Sequence, residues 1–273
     1  VGNPQRRRVF TFGLGDDVIY FMGASGTLAR IPIAGGRVSE LTLERVHASA
    51  FGLDAGALYW TSGASIVRYP LCGTPMYVLA DGYPGFTELV VDDTGVVWAS
   101  TMGVDRWSKL DDTVSHLADA GFILGLAASD GLYYYSDTHG DVVRRTPPTQ
   151  DLAAAHFPGP LVVDDQGVYF YEVNDTFVLY AGAIRHVPRD GGATETMLDD
   201  LYPVLDLAMD ADNLYFATAY GVEYRIKQVA RSGGKPTTLA CGSFRQERVF
   251  LAVAGDHVYW SDSEQLYRIA RGP

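Results

Sequence analysis

Seven times along this chain an apolar residue, usually followed by tyrosine, leads into an aromatic ring. The copies are Ile19-Tyr20-Phe21, Leu58-Tyr59-Trp60, Val96-Val97-Trp98, Leu132-Tyr133-Tyr134, Val168-Tyr169-Phe170, Leu214-Tyr215-Phe216 and Val258-Tyr259-Trp260. Their centres lie 39, 38, 36, 36, 46 and 44 positions apart. A repeat near forty residues, built of several short strands, predicts a β-propeller with one blade per repeat.

Each copy sits within a longer pattern. An apolar run precedes it and closes in a turn, as in Val249-Phe250-Leu251-Ala252-Val253 before Gly255-Asp256, or Leu89-Val90-Val91 before Asp92-Asp93-Thr94-Gly95. Aspartate bonds its own backbone and glycine accepts positive φ, so these clusters read as hairpin turns. The aromatic phrase is then the second strand. A third strand carries a cation near its centre (Arg30, Arg68, Arg106, Arg144, Arg185, Lys227 and Arg268), and a fourth ends in leucine, as at Leu79, Leu198 and Leu239. Four strands of about five residues with tight turns fill one repeat.

The expected fold is therefore all-β: a seven-bladed β-propeller of four-stranded antiparallel blades, in one domain spanning 1–273. Residues 9–44, 47–82, 86–118, 122–155, 159–200 and 203–240 each supply four strands, and 247–273 supply three. The last blade either stays three-stranded or is completed by the N-terminal residues 1–7. A helical reading fails because no stretch holds a 3.6-residue apolar period, and 30 glycines and 13 prolines interrupt every candidate. The third aromatic column (Phe21, Trp60, Trp98, Tyr134, Phe170, Phe216, Trp260) is expected to fill the spaces between blades.

The run Leu58-Tyr59-Trp60-Thr61-Ser62, followed by Ile66 to Gly73 and by Val78-Leu79, resembles the YWTD repeat of the low-density lipoprotein receptor type. Tyr259-Trp260-Ser261-Asp262 with Leu266-Tyr267-Arg268 is a second such copy, and Tyr133 to Asp137 with Val143-Arg144 a third. The resemblance covers essentially the whole chain. Receptor propellers have six blades, whereas seven phrases stand here, so the chain looks more like divergent propellers of secreted or lipid-anchored bacterial proteins. Such families imply protein or ligand binding, with some enzymes on related propellers; none of their functional residues carries over.

A net charge of −12 argues against nucleic acid, whose phosphates attract a positive face. The basic run Arg6-Arg7-Arg8 is too short to reverse that sign. No 18-residue apolar segment exists, so no bilayer-spanning helix is expected. No leader peptide is expected either; the chain reads as a mature secreted or cell-envelope product, or as a cytosolic one. Cys72 and Cys241 fall on blades two and six, too far apart for a bridge or a shared metal.

In a propeller, the loops between blades and those between second and third strands share one face, where ligands bind by analogy with the fold. The blade-to-blade loops here carry Tyr83, Phe86, Phe122, His156, Phe157, Tyr202 and Phe244. These rings either cap the inter-blade core or form an apolar rim suited to a flat ligand. From the centre of the aromatic phrase to the next cation is 10, 9, 9, 11, 16, 12 and 9 residues in blades one to seven. The longer connections of blades four to six, with Phe177, Tyr180, Tyr220 and Tyr224, form either a raised sector of the rim or hairpin extensions.

Counting nine positions back from each phrase centre gives Thr11, Ala50, Glu88, Leu124, Pro160, Asp206 and Phe250. Glu88 and Asp206 thus hold equivalent inner-strand positions, where they could share a proton or hold a calcium or magnesium ion, or simply be hydrated or paired with arginine. His47 and His156 lie near the same rim, as a proton carrier or as ordinary surface residues. The cation column and the aspartate-rich turns recur in blade after blade and read as structural. No phosphate-cradling loop, GxSxG or HxxxH spacing occurs.

The preferred functional expectation is a non-enzymatic module that captures a small molecule, glycan or peptide at the channel mouth through Tyr83, Phe86, Phe157, Phe177, Tyr180, Tyr202, Tyr220 and Tyr224, with no resident cofactor. The alternatives are a metal-assisted hydrolase or lyase using Glu88 and Asp206 with His156 or His47, and a protein-interaction scaffold.

Overall fold

The computed structural model describes residues 9–23, 26–41, 48, 50–72, 75–139, 142–173, 182–243, 248–262 and 264–271. They form seven antiparallel sheets, six of four strands and a seventh of three, with no helix among the described residues. In each sheet the strands run outward in sequence order. The innermost strands are Val9–Leu14, Phe51–Leu53, Glu88–Val91, Ile123–Ser129, Leu161–Val163, Val204–Met209 and Phe250–Ala254. Each neighbours the next around the axis, and Phe250–Ala254 returns to Val9–Leu14, so the ring closes. Residues 1–7, the candidates for completing the last blade, lie outside the described residues.

The second strand explains why a ring forms at all. Strands exposed on one face alternate buried and exposed positions. Gly95–Ser100 is buried at every position, and Ala57–Ser62 at all but its last. Such a strand needs a partner sheet on both sides. The aromatic column supplies the contact: Phe21, Trp60, Trp98, Tyr134, Phe170, Phe216 and Trp260 are all at most 5% exposed. Seven apolar clusters result, one at each junction between sheets. The junction between the second and third sheets packs Tyr59 against Leu89, Trp98 and Trp107; the closing one packs Tyr259 against Phe12 and Phe21. Where inner strands converge, space runs out: a Cβ on Gly125 would meet the Gly159 carbonyl oxygen and the Leu161 nitrogen of the next blade at 2.8 Å.

On the face of the first turns, a second device ties sheet to sheet. Asp54 Oδ1 accepts from the Gly56 and Ala57 amides at 2.7 and 2.8 Å, which fixes its turn. Its Oδ2 accepts from the Tyr59 hydroxyl at 3.0 Å and lies 2.7 Å from Lys109 Nζ of the next blade. The pattern recurs. Asp210 is bonded by Tyr215 at 2.8 Å and by Arg271 of blade seven, Asp164 pairs with Arg231 of blade six, and Asp130 with Arg189 of blade five. Arg189, Arg231 and Lys109 also lie over the Tyr134, Tyr169 and Tyr59 rings. These cations stand three or four residues beyond the column expected from the repeat. The expected column acts mainly within its own blade: Arg144 bonds Asp137 and Asp151, and Arg185 bonds Glu172 at 2.7 Å.

The alternatives left open for the long connections are decided in two blades. In blade six the extra residues extend the hairpin itself: Asn213–Tyr220 pairs with Glu223–Ala230 around a two-residue turn in which Gly221 holds φ 59°. In blade four, Arg144 stands opposite Tyr135, two residues past the phrase centre, so part of the apparent insertion is a shift of the cation along its strand. The insertion of blade five, with Phe177 and Tyr180, lies outside the described residues. Cys72 and Cys241 are free, exposed thiols.

Truncating Trp260 to alanine removes a ring that is 5% exposed and the donor to the Tyr224 hydroxyl at 3.1 Å. Chemical denaturation is expected to show a loss of about 3–5 kcal/mol. At Asp210, burial raises the carboxyl pKa, but Tyr215, the Asp212 amide, Arg271 and the Asn213 amide outweigh it and hold the pKa at about 2. A depressed carboxyl stabilises the fold above its unfolded pKa, near 4, and loses that contribution as pH falls through its folded value. Asp210→Asn is therefore expected to destabilise the protein at pH 7, with the gap to the parent closing between about pH 4 and pH 2.

Candidate functional site

All seven positions nine residues upstream of the phrase centres line one central cavity of about 930 Å³. Five of them sit on the inner strands, and Ala50 and Pro160 stand one residue before theirs. Thr11, Ala50, Leu124, Pro160 and Phe250 make most of this ring apolar or small; Glu88 and Asp206, three blades apart, are its ionisable members. β-bulges shift the inner strands of blades one, four and six at Val9/Thr11, Ile123/Gly125 and Val204/Asp206. In blade four the bulge leaves Leu124 42% exposed in the cavity wall.

Asp206 is anchored. Its Oδ1 accepts from the Leu207 amide at 2.8 Å and its Oδ2 from the Leu251 amide of the seventh blade at 2.7 Å. Glu88 makes no comparable hydrogen bond among the described residues and lines the cavity. Both are half-buried, facing the open channel with the packed inner strands behind them. Burial is the main cause that lifts the Glu88 pKa to about 8; the Asp206 charge adds to the lift and Arg248 opposes it. Burial also raises Asp206, to about 7, against the pull of the Leu251 and Leu207 amides. The backbone donors make Asp206 the first of the pair to ionise, and Glu88 the last.

Arg248 lies in the wall with them, on the segment leading into the inner strand of blade seven. It belongs to no column of the repeat; the one hint in the sequence is its place two residues before Phe250. The remaining ionisable wall residue is Tyr171, whose hydroxyl is pushed up to about 12 by burial.

Above the ring, loops between blades meet the hairpins between second and third strands. Tyr83 donates its amide to the Ala64 carbonyl at 2.9 Å, Thr138 to Phe122 at 3.1 Å, Val173 to His156 at 3.0 Å and Ala219 to Pro203 at 3.0 Å. These contacts place the loops on one face. Phe86, Phe122 and Phe157 reach the cavity wall. Phe157 is 48% exposed and holds φ 43°, a region that bulky residues avoid and that clusters at functional sites.

The other candidates fall elsewhere. Tyr83 packs edge-on against Trp98, centroids 5.1 Å apart, and caps the core between blades two and three. Tyr202 and Tyr220 pair with each other at 4.9 Å on the exposed rim of blade six, outside the cavity wall. Tyr224 is a correction: the extended hairpin turns its ring inward, where it is 3% exposed and accepts from Trp260. His156 is exposed, edge-on to Phe157 at 5.0 Å, and does not line the cavity with Glu88 and Asp206. His47, Phe177, Tyr180 and Phe244 lie outside the described residues. Among the described residues, no three His, Cys, Asp or Glu side chains converge as a metal site, and no helix is long and apolar enough to cross a membrane.

The chain is a seven-bladed propeller whose structural neighbours include bacterial extracellular domains. The extracellular domain of a hybrid two-component system from B. thetaiotaomicron superposes with a TM-score of 0.73 at 12% identity, covering 97% of this chain and 38% of that one. PorZ, a surface component of the type-IX secretion system of Porphyromonas gingivalis, superposes with a TM-score of 0.71 at 12% identity, covering 97% and 37%. This chain thus spans under two-fifths of either bacterial protein. The computationally designed protein Ika8 matches over 97% of both chains, with a TM-score of 0.67 at 14% identity. Likeness at this identity shows the fold alone. No protein-family model and no curated protein matches, so the YWTD repeat remains a resemblance of motifs.

The raised carboxyl at Glu88 has a measurable sign. The folded state keeps its proton up to about pH 8, while the unfolded chain loses it near pH 4. Its contribution to stability is full below pH 4 and is lost as pH rises through about 8. Replacing Glu88 by glutamine, a neutral isostere, is expected to raise the melting temperature relative to the parent at pH 8 to 9 and to leave it unchanged near pH 4. A gap that is constant across this range would show that Glu88 is solvated like a surface carboxyl.

Proposed function

We propose that this propeller is a binding module that captures a small molecule, or one residue of a peptide or glycan, in the mouth of its central channel. The observation that carries this reading is the wall itself. A cavity of about 930 Å³ lies within the size of sites that enclose a small ligand, and its lining is mostly apolar and aromatic with a few convergent polar groups. Phe86, Phe122 and Phe157 would hold a flat or aliphatic body from above, while Glu88, Asp206 and Arg248 would orient a polar end below. The exposed rings of Tyr202 and Tyr220 extend the same face outward, where a larger ligand would rest.

The enzymatic alternative has less support. His156 does not line the cavity with the carboxyl pair, and the two acids have no third ligating side chain beside them among the described residues. The neighbours that work outside the cell support a secreted or envelope setting for this chain too.

The channel can be closed without touching its charged groups. Leu124 is 42% exposed in the wall, so tryptophan at this position has room to extend into the cavity rather than into the core. Leu124→Trp is expected to fold with an unchanged melting temperature and to lose binding to whatever ligand the parent retains from a metabolite and oligosaccharide panel, read by native mass spectrometry. A folded Leu124→Trp that binds like the parent places the ligand elsewhere.

A further inference from the structure

We infer that the ligand of this channel is an organic monocation, an ammonium group on an aryl-alkyl body, with the ammonium seated between Glu88 and Asp206. The inference rests on the channel mouth being the binding site and names what the site selects.

Charge counting sets the sign. Among the described residues, the ionisable members of the wall are Glu88, Asp206, Arg248 and Tyr171. With Tyr171 neutral, the one guanidinium balances one carboxylate; Glu88, which holds its proton up to about pH 8 in the empty channel, leaves a single unbalanced negative charge once it ionises, and a positive guest favours that ionised form. One ammonium neutralises that charge; a divalent ion overshoots. A carboxylate ligand would add to the repulsion that already raises Glu88.

Coordination chemistry agrees. Calcium and magnesium exchange their water for six or more oxygens, and among the described residues only two carboxylates line the cavity, with a guanidinium in the same wall. Asp206 has already committed both of its oxygens to backbone amides. An ammonium needs only three acceptors, and each carboxylate oxygen has lone pairs to spare. Glu88, facing the cavity and without a side-chain hydrogen bond among the described residues, is the acceptor still waiting for a donor.

The remaining wall selects the body. Phe51, Phe86, Phe122, Phe157 and Phe250 line the cavity around and above the acids. Their faces are negative and their area is apolar, so they accept an aryl ring by stacking and favour a cation at its base. A small inorganic cation would leave this apolar wall wet.

The test is thermal melting at pH 8 with phenethylamine, its neutral isostere phenethyl alcohol, phenylacetate and calcium chloride, on the parent, Glu88→Gln and Leu124→Trp. An alkylammonium is fully charged at this pH. Phenethylamine alone is expected to raise the parent's melting temperature in a saturable way. Its affinity should fall at least about tenfold in Glu88→Gln, the loss that accompanies one charged hydrogen bond, and vanish in Leu124→Trp. Since Glu88→Gln is expected to melt higher than the parent at pH 8, such a loss is not unfolding. The inference is overturned if the amine gives no shift, if the alcohol, phenylacetate or calcium shifts the parent as much, or if Glu88→Gln binds the amine unchanged. Should the alcohol or phenylacetate bind the parent and be lost in Leu124→Trp, the channel stands as the site and only the ammonium assignment falls. Amine binding that survives in Leu124→Trp removes the channel itself.

Discussion

The structure depends on strands that are apolar on both faces. A second strand such as Gly95–Ser100 cannot present either side to water, so no single sheet is stable alone. Each sheet hides one face against the sheet before it and the other against the sheet after it. Only a closed ring satisfies every member, and the ring's circumference is then set by the width of the side chains between sheets. Bulky rings at the outer part of each junction and close approach at Gly125 near the axis make the wedge from which a wheel is assembled. The channel is a consequence of that geometry: inner strands cannot converge to a point, and the residues they aim inward must line a hole.

Apolar packing has little direction, and the aspartate clasps on the opposite face supply some. Asp54, Asp164 and Asp210 each fix their own turn by accepting from two of its backbone amides, and each draws a Lys or Arg from the following blade. The partners are well shielded: Asp210 is 13% exposed and Arg231 12%. Such pairs resist loss of one member because the other is then stranded. They distinguish the correct neighbour from a sheet that has slipped by a residue.

Much of this was legible in the sequence because a propeller repeats. One spacing, nine residues back from each phrase centre, located seven residues of the cavity wall, one from each blade, the acids Glu88 and Asp206 among them. What escaped was what the repeat does not contain. Arg248 belongs to a connection between blades, so no column predicts its place. The clasp cations stand beyond the end of the third strand, and Arg271 meets Asp210 across 61 residues of chain. Tyr224 went astray for a different reason. A count of residues between two landmarks cannot say whether the surplus bulges as a loop or lengthens a hairpin, and hairpin register decides which way each ring turns. In blade six the strands grew, and alternation carried Tyr224 inward while Tyr220 stayed at the tip.

Asp206 belongs to two structures at once. One of its oxygens holds its own strand, and the other holds the Leu251 amide of the neighbouring sheet. The floor of the cavity is therefore also a stitch in its wall. A proton or a positive guest arriving at that carboxyl alters how firmly the sixth and seventh sheets are sewn together, so occupancy at the centre of the wheel is transmitted to its circumference without any hinge.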